Sequence, residues 1–466
     1  MDWALLPWVR MSFLYLLSFL DRSAIGNARL YHLETDLHIN DTQYNLALTI
    51  FFFSYVPSNI FLKRLRPSIW FSFLVLMWGI MMTLQGLVHN YGGLLGLRWM
   101  LGIFEAGLFP GVTFYLSCWY KRSEFGIRAA LFFSAATVSG AFGGLLAAAI
   151  SKMNGIGGKP AWAWIFILEG LVTILAGVAS FWIVQDFPDT AKFLTDKERA
   201  FVVWRLQQDG QFSAGGEKLK WDYIVASLKD WKTWNGMHKL IILFRSIMPL
   251  YSFSLFLPTI ISHNKGFKAT PANLLTVPVY AFACVLTCAV GYFADKIGNR
   301  GYFNLGFFVI AAAGYIILIV SRNSALSYFA TFLAASGIYP LVCTAWFSNN
   351  VEGSYKRSVG LAVIVSFANL NGAVSSNVYR AEDKPWFRLG HGLVLLYICI
   401  GWISSLVAII LLRRENAARE RGERDEIIRG VTALTNPKSS DQKIYDSLDQ
   451  VKSQKGDEWS GYRYTL

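Results

Sequence analysis

The stretch from Arg98 to Tyr120, RWMLGIFEAGLFPGVTFYLSCWY, constrains the fold of this chain more than any other. It is long enough to cross a bilayer core of about 30 Å, yet it carries an arginine and a glutamate. In hydrocarbon such charges cost about 2.5–3.5 kcal/mol each on insertion scales, so they belong against protein or a wet cavity. Arg98 and Glu105 lie two helical turns apart and share a face. Gly102, Ala106, Gly107 and Gly111 allow a second helix to approach closely. Pro110-Gly111 predicts a bend. A packed, kinked helix that is charged on its inner side belongs at the centre of a solute pathway.

The rest of the chain fits that setting. Of its 466 residues 54% are hydrophobic and 16% charged, the latter well below the ~25% of soluble domains. The apolar residues come in blocks of bilayer-spanning length, and the class is an all-α polytopic membrane protein. The first block contains Pro7 and Arg10 and runs on into Asp21-Arg22 without a small-residue cleavage site. It reads as a membrane helix and not as a signal peptide. A net charge of +13 would suggest nucleic acid in a soluble protein. Here the basic residues cluster in alternate loops, the positive-inside pattern, and no nucleic-acid partner is expected. The five cysteines fall in apolar segments without metal-ligand spacing, so neither a metal nor a cofactor is expected. Cys284 and Cys288 share a helix face as small packing residues.

Twelve spans are expected, near 4–26, 43–62, 70–89, 92–117, 126–150, 162–184, 238–261, 272–294, 302–320, 326–347, 358–380 and 390–412. They divide into an N-terminal six-helix bundle (1–184), a central cytoplasmic loop (185–236), a C-terminal six-helix bundle (237–412) and a cytoplasmic tail (413–466). Lys63-Arg64-Arg66, Lys121-Arg122, Lys296 with Arg300, Lys356-Arg357 and Arg413-Arg414 fall on one side, which puts both termini in the cytoplasm. In the central loop, Thr195 to Glu198 forms a capping box ahead of a helix. A second amphipathic stretch runs from Trp221 to Trp234, and both suit the inner leaflet surface. The tail should continue the last helix, exposed, and then fray. Asn40-Asp41-Thr42 is a glycosylation sequon.

No phosphate-binding glycine loop, Gly-x-Ser-x-Gly elbow or His-Glu-x-x-His motif is present, so an enzyme is not expected. The histidines appear in loops or at span edges. The informative residues are ionisable groups inside spans. Desolvation favours the neutral form of a carboxylate, which is what proton coupling uses, and Asp21, Glu105 and Glu169 are the proton-coupling candidates. A buried guanidinium stays charged and grips a carboxylate, which makes Arg22 and Arg98 candidates for anion binding. The same groups could instead neutralise one another between helices. Arg245 is a further charged residue near the start of the seventh span. Tyr251, Phe253, Asn369, Asn371 and Asn377 are candidates for shaping a substrate pocket. In Gly291-Tyr-Phe-Ala-Asp-Lys-Ile-Gly-Asn-Arg300, an aspartate at a helix end precedes a glycine turn and a basic residue. Asp295, Lys296, Gly298 and Arg300 should form a gating loop.

That last motif, between spans eight and nine of twelve, resembles the cytoplasmic-loop signature of the major facilitator superfamily. The first-half copy is degraded to Phe61-Leu-Lys-Arg-Leu-Arg-Pro67. Longer runs resemble the fungal anion:cation symporters, the allantoate permease family within it: LSFLDRSAIGNARL (17–30), TQYNLALTIFF (42–52), PSNIFLKRLRPS (57–68), LGIFEAGLFPGVTFYLSCWY (101–120), WIFILEG (164–170) and TPANLLTVPVYA (270–281). The resemblance covers about Asp2 to Arg421. It implies two six-helix bundles around a central cavity and proton-coupled uptake of a small carboxylated metabolite of the nicotinate, pantothenate, biotin or allantoate class. It also implies a monomer in the lipid bilayer, at the plasma membrane. The chain departs from the family in three places. It lacks the usual cytoplasmic arm before the first span. About four residues are missing between Tyr55 and Val56, and the run Leu341 to Ala345 is short. These departures make an impaired variant one alternative, and a non-transporting nutrient sensor on the same fold is the other. The antiporter motif of the fifth span lacks its proline, with Gly140, Gly143 and Gly144 remaining, which favours symport.

Overall fold

The computed structural model describes residues 6–54, 66–120, 122–188, 190–191, 193–208, 237–265, 269–340, 346, 350, 369–428, 444–448, 451 and 459–465. The helices are α1 (Leu6–Leu30), α2 (Leu33–Asp36), α3 (Asp41–Phe53), α4 (Pro67–Gln85), α5 (Tyr91–Glu105), α6 (Leu108–Ser117), α7 (Arg122–Ile150), α8 (Ala161–Ile183), α9 (Asp196–Gln208), α10 (Met237–Lys265), α11 (Ala269–Ile297), α12 (Arg300–Val320), α13 (Ser324–Ile338) and α14 (Arg388–Glu420). Residues 369–375 form a further helical piece within the expected eleventh span. Among the described residues the strands are Ile427–Ile428 and Ile444–Tyr445, a parallel pair in the tail. Seven described helices are long and apolar enough to cross a membrane. The segment around Val56, the run 341–345 and the stretch Trp221 to Trp234 lie outside the described residues.

Helix starts follow local chemistry. Asn40 caps α3 by accepting from Gln43 N at 2.8 Å, and Gln43 Oε1 accepts from Asn40 N at 3.0 Å. The sequon asparagine is thus a cap in this structure. Pro67 occupies the first turn of α4, where its missing N–H costs nothing. Thr195 and Glu198 form the expected capping box ahead of α9. Glu198 is held below the usual carboxylate range by the Thr195 backbone N–H and then by its hydroxyl. Gly298 takes a φ of 78°, and its N–H reaches Ala294 O at 2.9 Å. That is the left-handed helix stop glycine adopts without a Cβ clash.

The bend in the fourth span is not at Pro110. The chain breaks between α5 and α6 at Ala106 and Gly107, and Pro110 lies inside α6. A proline ring clashes with the carbonyl four residues before it, which here is Ala106, so the break falls one turn ahead of the proline.

Helices α4 and α8 pack together, as do α3 with α5 and α1 with α7; in the second half α12 packs on α13 and α14, and α10 on α14. The halves meet through α7 on α11 and α1 on α10. Backbones come close at small residues. A Cβ on Gly79 of α4 would sit 2.8 Å from Ile174 N, and one on Gly177 of α8 would sit 2.7 Å from Leu76 N. Across the halves, a Cβ on Gly144 would sit 2.7 Å from Asn273 O, and one on Gly26 would sit 2.8 Å from Leu255 O. Tyr31 adds polar contacts on the same side, at 3.4 Å from both Thr270 Oγ1 and Asn273 Nδ2.

The tail does more than fray. Ala418 and Arg419 near the end of α14 are buried, and residues of 459–465 pack back onto this region. His391 also departs from the expectation for histidines. It is buried in α14, with Nδ1 3.0 Å from the Tyr379 hydroxyl.

The packing predicts a contrast between two glycines. Gly79→Leu forces a branched side chain into the α8 backbone and should lower stability by about 1–3 kcal/mol. Gly96→Ala, at an exposed position inside α5 where nothing lies within 4 Å of a new Cβ, should not lower it and should raise it by up to about 1 kcal/mol. Thermal unfolding of both variants in detergent checks this.

Candidate functional site

The buried charges of the first half converge from α1, α5 and α8. Asp21 is 0%, Arg98 and Glu105 are each 1%, and Glu169 is 3% exposed. The central feature is an ion pair between Arg22 of α1 and Glu105 of α5. Glu105 Oε1 accepts from Arg22 Nη2 at close range, from Arg22 Nε at 3.1 Å and from Ser18 Oγ at 2.6 Å. Its Oε2 has no partner among the described residues.

Arg22 also reaches the second half. Its Nη1 donates to the Tyr251 hydroxyl of α10 at 2.7 Å, and that hydroxyl donates in turn to Asn369 Oδ1. The guanidinium carbon lies 4.9 Å from the ring centre of Phe19, 5.4 Å from Phe51 and 5.3 Å from Tyr251. Phe52 packs at a tilt of 50° beside Tyr251, with ring centres 4.9 Å apart, and covers Gly372. Arg22 therefore sits in an aromatic collar where the two halves meet. Tyr251 lies in the stretch of α10 between Pro249 and Pro258, where prolines interrupt the backbone ladder.

Asp21 does not pair with its neighbour Arg22. Its Oδ2 accepts from Trp78 Nε1 of α4 and Thr173 Oγ1 of α8, each at 2.9 Å, while Oδ1 has no partner among the described residues. Glu169 lies one turn before Thr173 on α8, with neither oxygen partnered among the described residues. The Arg98 guanidinium lies 6.0 Å from the Phe166 ring, with Nε and Nη2 unpartnered among the described residues. Of these five groups, Arg22 and Glu105 neutralise one another between helices, while Asp21, Arg98 and Glu169 form no ion pair among the described residues.

The remaining candidates spread out. Asn371 is buried beside Asn369 in the eleventh-span piece. Asn377 is exposed and bridges the halves farther along, donating to Thr49 Oγ1 at 3.0 Å. Phe253 packs edge-on against Tyr280 and Tyr339, away from Arg22. Lys296 and Gly298 are exposed in the α11–α12 turn, and Arg300 is buried at the start of α12. The side chains of Asp295 and Arg245 lie outside the described residues. The two cysteines of α11 are free thiols facing partly outward.

Sequence reasoning missed Ser18, Trp78, Thr173, Phe19, Phe51 and Phe52. Ser18 stands one turn from Arg22, which is a usable signal. The others belong to runs with no local polar pattern, and only tertiary packing brings them to the charges.

A family model described as Major Facilitator Superfamily matches residues 11–376. The MFS-type transporter cnsO of Penicillium expansum is 37% identical over 438 residues, covering 90% of this chain and 83% of the relative. A high-affinity nicotinic acid transporter of Saccharomyces cerevisiae is 31% identical over 460 residues, covering 97% and 83%. Among solved structures, the proton:xylose symporter XylE bound to 6-bromo-6-deoxy-D-glucose aligns with a TM-score of 0.65 at 13% identity, covering 86% of this chain and 94% of that one. A bacterial homologue of the human lysosomal transporter Spinster, inward-facing and occupied, aligns with a TM-score of 0.62 at 16% identity, covering 86% and 96%. At these identities the structures share the fold alone.

The pairing geometry predicts a non-additive mutant cycle. Arg22→Ala leaves Glu105 as an uncompensated buried charge and should cost about 3–5 kcal/mol. Arg22→Ala combined with Glu105→Ala should cost less than the sum of the single changes. Thermal unfolding of the three variants measures the coupling.

Proposed function

The chain belongs to the major facilitator superfamily of multi-pass membrane transporters, and from that premise we propose that it is a proton-coupled importer of a small organic anion or vitamin, working by alternating access. The observation that carries this reading is the double engagement of Arg22. One guanidinium holds a carboxylate of the first half and a hydroxyl of the second. A substrate carboxylate arriving between the halves competes with Glu105 for the same donors. Protonation of Glu105 releases Arg22 from the pair and lets it grip the substrate, so proton and anion binding favour each other. When both have left, the pair reforms and the empty carrier returns.

Asp21 is the second proton site in this scheme, hydrogen-bonded from two helices at one oxygen and unpartnered at the other. Glu169, one turn away on α8, is the third candidate, and Arg98 contributes positive charge to the cluster. Asn369 and Asn371 present polar groups from the second half, and the collar of Phe19, Phe51 and Phe52 excludes water. The contacts of Tyr31 and Asn377 tie the halves on the side expected to face outward. The α11–α12 turn, with Lys296, Gly298 and Arg300, acts as the gate opposite. The long runs similar to fungal anion:cation symporters and the likeness to a nicotinic acid transporter support an anionic vitamin as substrate, and the plasma membrane is the proposed site of action.

The test is uptake of labelled nicotinate, pantothenate, biotin and allantoate by cells lacking their own carriers, at pH 5 and pH 7.5, with and without a protonophore. Uptake of one compound should be faster at pH 5 and collapse with the protonophore. Glu105→Gln should abolish pH-driven uptake and keep exchange between equal pools. Uptake insensitive to both pH and protonophore would refute proton coupling.

A further inference from the structure

The second half carries a peptide-reading surface built from Asn350, Asn416 and Arg419, and segment 459–465 of the same chain occupies it. We propose that this segment is a detachable strap that restrains the α11–α12 gating turn, an inference that rests on reading that turn as a gate.

Each asparagine reads one residue's backbone with both ends of its amide. Asn416 donates to Tyr464 O at 2.9 Å and accepts from Tyr464 N at 2.9 Å. Asn350 donates to Thr465 O at 3.0 Å and accepts from Thr465 N at 2.8 Å. This is the pairing a neighbouring β-strand would offer, supplied by side chains. Arg419 is buried in α14 and donates to Tyr462 O at 2.8 Å, to Trp459 O at 3.2 Å and to the Tyr464 hydroxyl at 3.0 Å. Its guanidinium lies 4.4 Å from the Tyr464 ring centre. Its Nε pairs with Glu415 one turn back on α14 at 3.2 Å, which leaves the two Nη groups for the carbonyls and the hydroxyl of the passing segment.

The strap reaches the gate through Trp346. The indole Nε1 donates to Thr465 O at 2.9 Å. The six-membered ring of the same indole lies against Gly301, where a Cβ would be 3.0 Å from its Cζ2 and 2.9 Å from Ile409 Cγ1 of α14. Gly301 follows Arg300, the last residue of the gating motif. Docking of the strap therefore presses a buried tryptophan onto the first turn of α12, and joins that turn to α14 through Asn350 and Arg419. The strap is also suited to release. Ordering seven residues opposes docking by an amount comparable to what a few hydrogen bonds and one stacked ring return. A docked and an undocked state then both have appreciable populations.

The test uses the full-length chain with Asn350→Cys and Thr465→Cys, purified in detergent, and with Asn350→Cys alone as the control for native thiols. Copper-phenanthroline oxidation locks the strap in place and a reductant releases it, on the same folded protein. Amide hydrogen exchange is read by mass spectrometry. Locking should slow exchange of the 296–303 amides by about threefold or more, and reduction should restore it, with the control unchanged. Arg419→Gln, without oxidant, should speed exchange in both 459–465 and 296–303. Equal exchange at 296–303 in the locked and reduced forms would overturn the proposal, as would failure of the two thiols to join. The readout needs no substrate, so it stands apart from the uptake result.

Discussion

An ionised group in hydrocarbon is costly without a partner, and much of the first half of this protein is arranged around that cost. Arg22 and Glu105 offset it together, with Ser18 adding a donor and aromatic rings closing the sides. Asp21 is handled differently, by neutral donors from α4 and α8. Those donors converge because the two helices touch at backbone level. Gly79 follows Trp78 directly, and a Cβ there would lie 3.1 Å from the Thr173 carbonyl carbon. The small residue and the polar contact are thus one feature: without the close approach, Trp78 and Thr173 would not reach the same carboxylate oxygen.

Much of this was legible in the sequence. Charges inside apolar blocks marked Asp21, Arg22, Arg98, Glu105 and Glu169 as inward-facing, because lipid excludes them, and all five are buried. The capping box at Thr195 and the glycine stop at Gly298 are local chemistry and appear as read. Pairing was not legible. Arg22 is seven residues from no carboxylate on its own helix, and nothing local distinguishes Glu105 from Asp21 as its partner. The choice depends on helix rotation, which packing sets. The break at Ala106 was misplaced at Pro110 because a proline acts on the carbonyl one turn back. The burial of His391 and the docking of segment 459–465 have no local signal, since neither an isolated histidine nor a polar tail announces a tertiary partner.

The same charges explain how binding and movement would be joined. Arg22 belongs to the first half, Tyr251 and Asn369 to the second, and the hydrogen-bonded line through them crosses the interface that must open and close. Contacts near Tyr31 and Gly26 close one side of that interface through tight backbone approach. On the other side the turn around Gly298 is held from within the second half, where Gly301, Trp346 and α14 meet. In the proposed mechanism recognition and gating draw on different residues, and substrate choice would be set by the collar around Arg22 and not by the motif that identifies the fold.

The most direct measurement of the central claim is substrate affinity of the purified protein between pH 5 and pH 8, for the native chain and for Glu105→Gln, by calorimetry with whichever panel compound is carried. If Glu105 and the substrate carboxylate compete for Arg22, native affinity should rise as pH falls, and Glu105→Gln should bind with high affinity at every pH. A Glu105→Gln protein that kept the native pH dependence would contradict the account, since the competing carboxylate would then lie elsewhere.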